Sequence, residues 1–248
     1  MSAAPIVALS EVPRRQVVVF DLDGTLVAGD SFGAFLRHLI TRNLLRCAMA
    51  VVTVPVWLPA WLLPPTRLAA ERYLVWLAAA GMDEDAFAAA AGDFATRHAG
   101  PATGRAPAAA LERVREHREA GDWVVVATGC ASPLAQEVCT VIGLDGVDVV
   151  ASTLIRRRWG LPQAMPARGE AKLRALGAAG VALPVDHAYS DSFSDLPLLR
   201  AARTAHLVDP SPRDQARLQR ALGKDIEVLR WAAFRGREAR DRTRGSNQ

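Results

Sequence analysis

Cysteine is scarce. Cys47, Cys130 and Cys139 are the whole complement of the 248-residue chain. They are too few and too scattered for a disulfide framework or a metal knuckle, which fits a reducing compartment. The opening stretch MSAAPIVALSEVPRR lacks a basic segment ahead of an apolar one, and its arginines follow the weak apolar patch. That order is wrong for a secretory signal, so no cleavage is expected. Charge of one sign is in short supply too: the formal net charge is only +4. The excess sits at the end, where ten Lys/Arg face five Asp/Glu from Arg213 onward. Such a tail is either a solvated helix with a frayed end or a patch drawn to anionic phospholipid, each surface cation contributing about 1 kcal/mol. No aromatic interleaving and no nucleic-acid motif accompany it, so nucleic acid is not an expected partner.

Hydrophobic residues, by contrast, make up 50% of the chain, enough for one large domain or a domain with an insertion. QVVVFD (16–21) and DWVVVAT (122–128) are short β-branched runs of the kind buried on both faces of a parallel sheet. VDVVAS (147–152), DHAYSD (186–191) and AHLVD (205–209) are further candidate strands, and helical patterns at 107–121, 132–143 and 169–180 alternate with them. This alternation predicts an α/β fold, a Rossmann-like parallel sheet with helices on both faces. Ligands bind beyond the carboxyl ends of such strands. About 85 residues separate the first strand from the next helix and strand, too long for an ordinary crossover. An inserted helical cap is expected at 30–105, leaving 1–29 and 106–248 as a discontinuous core.

The polar residues fall at the strand ends. FDLDGTLVAGD (20–30) ends its apolar run on Asp21 and Asp23, followed by Gly24 for a sharp turn and Thr25, whose hydroxyl can bond back to the turn. One carboxylate can attack phosphorus while the other protonates the leaving oxygen and later takes a proton from water. The same string also occurs in calcium loops and plain turns. Thr128 and Gly129 follow the second strand, where a hydroxyl and a backbone N–H at a helix start can hold phosphate oxygens, or simply form a turn. Lys172 in GEAK supplies a cation, although a lone helical lysine is usually just solvated. Asp191 and Asp195 in YSDSFSD add two carboxylates of the type that holds Mg²⁺, and four clustered aspartates need more than one lysine to balance them. His187 sits in a strand body and reads as core. Asp30 and Ser31 could face a substrate from the cap entrance.

FDLDGTL, TGCASP, GEAK and SDSFSD, in that order, resemble the four signature motifs of the haloacid dehalogenase-like hydrolases. The resemblance implies Asp21 as nucleophile and Asp23 as acid/base, with Asp23 also reaching Mg²⁺ through its backbone carbonyl. It further implies Thr128, Gly129 and Lys172 as phosphate holders, Asp21, Asp23 and Asp191 as the metal set, and Asp195 as a supporting carboxylate. Members that act as dehalogenases lack the second aspartate, so its presence implies a phosphatase. The cap position resembles subfamily IB, and within it the motif cores are similar to the phosphatidylglycerophosphatases of type C. That implies dephosphorylation of phosphatidylglycerophosphate to phosphatidylglycerol.

A lipid substrate also has a physical basis in the segment 44–65. From Cys47 to Thr66 twenty positions carry no charge, a length that would span a bilayer as a straight helix at ~1.5 Å per residue. Pro55 and Pro59 oppose an unbroken helix, and a single crossing would put Asp21 and Thr128 on opposite sides. The expectation is a bent pair or interfacial insertion with Trp57 and Trp61 near the headgroups; the bland alternative is a buried cap helix. Arg37, Arg42 and Arg46 could meet anionic headgroups, as could Arg156 to Arg158, unless RRRWG is an exposed hairpin. The expected location is the cytoplasmic side of the inner membrane, or else the cytoplasm. Two other functions remain open: a soluble phosphatase of a metabolite such as phosphoserine, and a non-catalytic membrane- or partner-binding module.

Overall fold

Val17–Phe20 forms β1, the middle strand of a sheet whose other strands are β2 (Trp123–Ala131), β3 (Asp148–Arg156), β4 (Pro162–Met165), β5 (Val185–Ser190), β6 (Ala202–Val208) and β7 (Glu227–Leu229). The spatial order is β4-β3-β2-β1-β5-β6-β7. The computed structural model describes residues 15–63, 65–156, 162–165, 167–222 and 226–231, so the N-terminal stretch, Arg157, Arg158 and the last part of the basic tail lie outside the described residues. All pairings are parallel except β3 with β4, an antiparallel hairpin that pairs Arg156 with Pro162. β4, with β7 at the far edge, is an addition to the five strands the sequence pattern suggested.

Alternation along β1 sends its side chains to two cores. Val18 and Phe20 join Val124, Val126 and Tyr189 on one face, while Val19 joins Val125, Ala127 and Ala188 on the other. The helices between β1 and β2 are α1 (Ser31–Thr41), α2 (Leu44–Val52), α3 (Val54–Leu62), α4 (Arg67–Ala79), α5 (Glu84–Ala99) and α6 (Ala108–Glu119). Those after β2 are α7 (Ser132–Val141), α8 (Glu170–Ala178), α9 (Leu196–Arg200) and α10 (Pro212–Leu222). Capping side chains start three of them: Asp30, Asn43 and Asp83 accept from Gly33, Arg46 and Ala86 N–H at 2.9, 3.0 and 2.8 Å.

The insertion has no separate core. Phe35 of α1 meets Phe87 and Phe94 of α5 at ring distances of 5.3 and 5.2 Å, and all three belong to the cluster that covers the Phe20 face of the sheet. Helices α2 and α3 differ from the rest, since neither has a buried residue. They meet at Thr53 with a 67° bend. Thr53 Oγ1 lies 2.6 Å from the Met49 carbonyl and 2.7 Å from the Tyr73 hydroxyl, and Pro55 begins the next helix in its first turn, where a missing N–H costs nothing. No single helix among the described residues is long and apolar enough to cross a membrane, but this bent pair together has the length and composition.

His187, expected in the core from its place in a strand, is only half-buried and belongs to a row of stacked rings with His206 and Tyr189. Its Nδ1 lies 3.0 Å from His206 Nε2, and His206 Nδ1 lies 2.7 Å from Glu227. Burial lowers the pKa of both rings, which suits imidazoles that share one proton across the contact.

Leu26 is fully buried and its N–H donates to the Leu22 carbonyl at 2.9 Å, pinning the turn that follows β1. Leu26→Ala is expected to cost about 2–5 kcal/mol, read as a lower denaturation midpoint at unchanged m-value.

Candidate active site

β1 ends where the chain order in the sheet reverses direction, because its neighbours β2 and β5 lead to opposite edges. Asp21 is the first residue past it. Its N–H donates to the Tyr189 carbonyl at 2.9 Å, so the carboxylate is anchored to β5 before its side chain begins. Leu22, Leu26 and Val27 then bury their side chains and fold the loop tightly, with the Leu22 carbonyl accepting from Leu26 and Val27 N–H at 2.9 Å. Gly24 has φ +84°, and a Cβ there would collide with the carboxylate of Asp191. Only glycine leaves room for Asp191, which arrives from the end of β5, to lie against this loop. Thr25 does not bond back into the turn as expected. Its buried hydroxyl has no hydrogen-bond partner among the described residues.

Lys172, 2% exposed, reaches in from the first turn of α8. Its Nζ lies 2.8 Å from Asp21 Oδ1 and 2.8 Å from Asp195 Oδ2. Asp195 is also buried and accepts from Ser190 Oγ at 2.8 Å. Burial works against the ammonium, but Asp21 and Asp195 outweigh it and hold the lysine pKa above its ordinary value. Burial raises the Asp21 carboxyl, Lys172 pulls it back, and Asp195 and Asp191 push it up again. Burial also raises Asp191 to about 6, with Asp195 adding to the effect.

Asp23 points the other way. Its Oδ1 accepts from Ser31 N–H at 3.0 Å at the start of α1, and burial raises its pKa to about 6. Asp30, exposed, uses its carboxylate to cap α1, and Ser31 is buried with its hydroxyl unpaired among the described residues.

Thr128 and Gly129 are not at a helix start. β2 continues through both to Ala131, with a register shift against β3 between Ala127 and Ala131, and α7 begins only at Ser132. The irregularity is stabilised locally: Thr128 Oγ1 accepts from Cys130 N–H at 3.0 Å, and the Gly129 carbonyl accepts from Ser152 Oγ at 2.8 Å. Since the Thr128 hydroxyl serves as acceptor there, its own proton is free to donate to a ligand. Sequence reading missed Ser152, in the middle of β3, Ser190, which ends β5, and Arg168, which directly precedes GEAK; its side chain lies over Gly129.

Among the described residues no group of three or more His, Cys, Asp or Glu side chains is placed to hold a metal ion. Asp23 in particular turns its carboxylate to α1, so only its backbone carbonyl is available to a metal set. The donors left are the Asp21 and Asp191 carboxylates, brought together across Gly24. That chemistry fits magnesium, which takes one or two carboxylates and completes its shell with water and substrate oxygens.

The model of the haloacid dehalogenase-like hydrolases matches residues 18–200, a stretch that holds every one of these carboxylates and Lys172. The chain belongs to that family. Solved structures align over most of it. A protein of unknown function from Bordetella pertussis Tohama I superposes with a TM-score of 0.66 at 23% identity, covering 87% of this chain and 98% of its own. A substrate-bound phosphoserine phosphatase gives 0.54 at 16% identity, covering 87% and 93%. Cytosolic 5'-nucleotidase IIIB bound to cytidine gives 0.55 at 14%, covering 87% and 80%. At these identities the likeness is one of fold.

Removing the lysine tests how this member of the family tolerates its buried charges. Lys172→Met leaves Asp21 facing Asp195 with no cation between them, so the raised Asp21 pKa rises further. A carboxyl whose folded pKa exceeds its unfolded one contributes stability at low pH and loses it as pH rises through the folded value. The variant is therefore expected to be destabilised by about 3–5 kcal/mol at pH 8 and by less at pH 5, as measured by urea denaturation at both.

Proposed function

We propose that the protein is a phosphomonoesterase working through an aspartyl-phosphate. The observation that carries this reading is Lys172 Nζ held 2.8 Å from both Asp21 and Asp195, with Asp191 packed on the same loop. Lys172 engages Asp21 Oδ1, which leaves Oδ2 to attack phosphorus. The Thr128 hydroxyl and the Gly129 backbone take the phosphate oxygens, and Lys172 neutralises charge that builds on them. Asp23, raised to about 6, is protonated often enough near neutral pH to give its proton to the departing ester oxygen. The resulting carboxylate then accepts a proton from water as that water attacks the phosphorus of the aspartyl-phosphate, freeing phosphate and restoring Asp21. Asp21, Asp191 and the Asp23 carbonyl would hold magnesium, which would supply the charge compensation that one lysine cannot.

For the substrate we infer a lipid phosphomonoester, with phosphatidylglycerophosphate converted to phosphatidylglycerol on the cytoplasmic side of the inner membrane. Two features support it. A cavity of about 550 Å³ runs from Gly129 and Arg168 between α1 and the α2–α4 helices, with Leu36, Trp57, Leu58, Trp61 and Leu68 on its walls. The outer side of the bent pair leaves Leu44 88% and Val52 74% exposed, an apolar surface that a membrane interface would cover. Arg37 and Arg42 lie on and just after α1, near that surface; Arg46 is turned inward, donating to the Ala80 carbonyl at 2.7 Å.

Asp21→Asn is expected to abolish phosphate release from any ester the wild type hydrolyses, because an amide oxygen does not attack, and chelation by EDTA should do the same until Mg²⁺ is returned. Retention of most activity by the variant rules out the mechanism. Membrane attachment has its own assay: the protein should sediment with phosphatidylglycerol vesicles, and Leu45→Asp with Val52→Asp should leave it in the supernatant. A wild type that stays soluble favours a metabolite phosphatase instead.

A further inference from the structure

The backbone around Arg168 is arranged to hold its side chain in one place. Ser152, buried, donates its hydroxyl proton to the Gly129 carbonyl at 2.8 Å and accepts from Ala167 N–H at 2.9 Å. One hydroxyl thus fastens the segment ahead of α8 onto the strand that carries Thr128. With Ala167 fixed, Arg168 lies across the bare Cα of Gly129, where a Cβ would come within 2.7 Å of its Nε and 2.9 Å of its Cγ. A Cβ at 129 would therefore push the arginine side chain off this position. Its ionic neighbour among the described residues is Glu71, 4.0 Å away, and Arg67 already engages the same Glu71 oxygen at 3.1 Å. The guanidinium is half-exposed, and it forms the end of the apolar cavity nearest the carboxylates.

We propose that Arg168 is the core of a subsite for a second oxyanion on the substrate, a phosphodiester that joins the reacting phosphate to apolar chains in the cavity. The inference rests on the phosphomonoesterase reading and states what the ester arm must carry. Thr128 and Arg168 flank Gly129, so a phosphate gripped at Thr128 directs its ester arm past the guanidinium before it reaches Trp57 and Trp61. The planar fork matches two non-bridging oxygens of a diester, a geometry that a lysine would meet only as a point charge. A substrate with a neutral arm leaves the cation only Glu71, at 4.0 Å and shared with Arg67, and the charge of Asp23. One that carries a second anion but no chains leaves the apolar walls empty.

Three soluble esters separate these cases: a short-chain diacyl phosphomonoester with an internal phosphodiester, an alkyl monophosphate of equal apolar length, and phosphoserine. The wild type should favour the first over the second by about tenfold to a hundredfold in kcat/KM. In Arg168→Gln that ratio should fall toward one, chiefly through KM, and Arg168→Lys should recover part of it. An absent preference in the wild type, or equal losses on both substrates, overturns the proposal, as does phosphoserine being the ester whose turnover alone depends on Arg168. If no ester is hydrolysed, the phosphomonoesterase reading fails on its own. The subsite is then decided by tryptophan fluorescence with a short-chain phosphatidylglycerol: tighter binding to the wild type than to Arg168→Gln upholds it, and equal binding overturns it.

Discussion

A lysine ammonium sealed between two carboxylates is the constraint around which this structure is arranged. Burying Lys172 alone would carry a heavy desolvation cost, and burying Asp21 and Asp195 without it would carry another. The three groups are tolerable only together, at 2.8 Å spacings, and that requirement fixes the elements that bear them. β1 must end beside β5, and α8 must begin where its first turn can reach both strand ends. Such an arrangement is a poor route to stability, since an apolar triple of similar volume commonly does as well. What it provides is a positive charge and an oriented carboxylate at a buried position.

Much of this was legible in the sequence. Apolar runs marked β1, β2, β3, β5 and β6, because strands of a parallel sheet are buried on both faces and need no alternation. The aspartates at their ends stood out because charge following a buried run has few structural uses. Other features leave no local trace. Thr128 and Gly129 extend β2 rather than ending it, since a register shift, invisible in composition, lets the strand continue to Ala131. Ser152 and Arg168 are ordinary residues in their own neighbourhoods, and their positions depend on contacts with Gly129 made across the fold. Lys172 was distinguishable from a solvated helical lysine by its motif, not by its pattern.

The segment 44–65 shows the limit of hydropathy more sharply. Twenty uncharged positions have the length of a membrane span, yet the chain breaks at Thr53 and sets two short helices at 67°. One side of the pair forms the cavity with Trp57 and Trp61, and Arg67 lies 5.2 Å over the Trp61 ring. The other side carries exposed leucine and valine. Helix α2 is amphipathic by itself whereas α3 is apolar nearly all round, and a count of uncharged positions does not separate the two.

The absence of a separate core in the insertion bears on how a ligand gets in. Phe35, Phe87 and Phe94 interlock with side chains on the Phe20 face of the sheet, so swinging the whole insertion aside would tear open the interior of the protein. Helices α2 and α3 have no fully buried residue, and their ties to the rest of the insertion include the Arg46–Ala80 and Thr53–Tyr73 hydrogen bonds. The α1 wall of the cavity thus belongs to the same core as the sheet, and a ligand enters between fixed surfaces rather than beneath a hinged one.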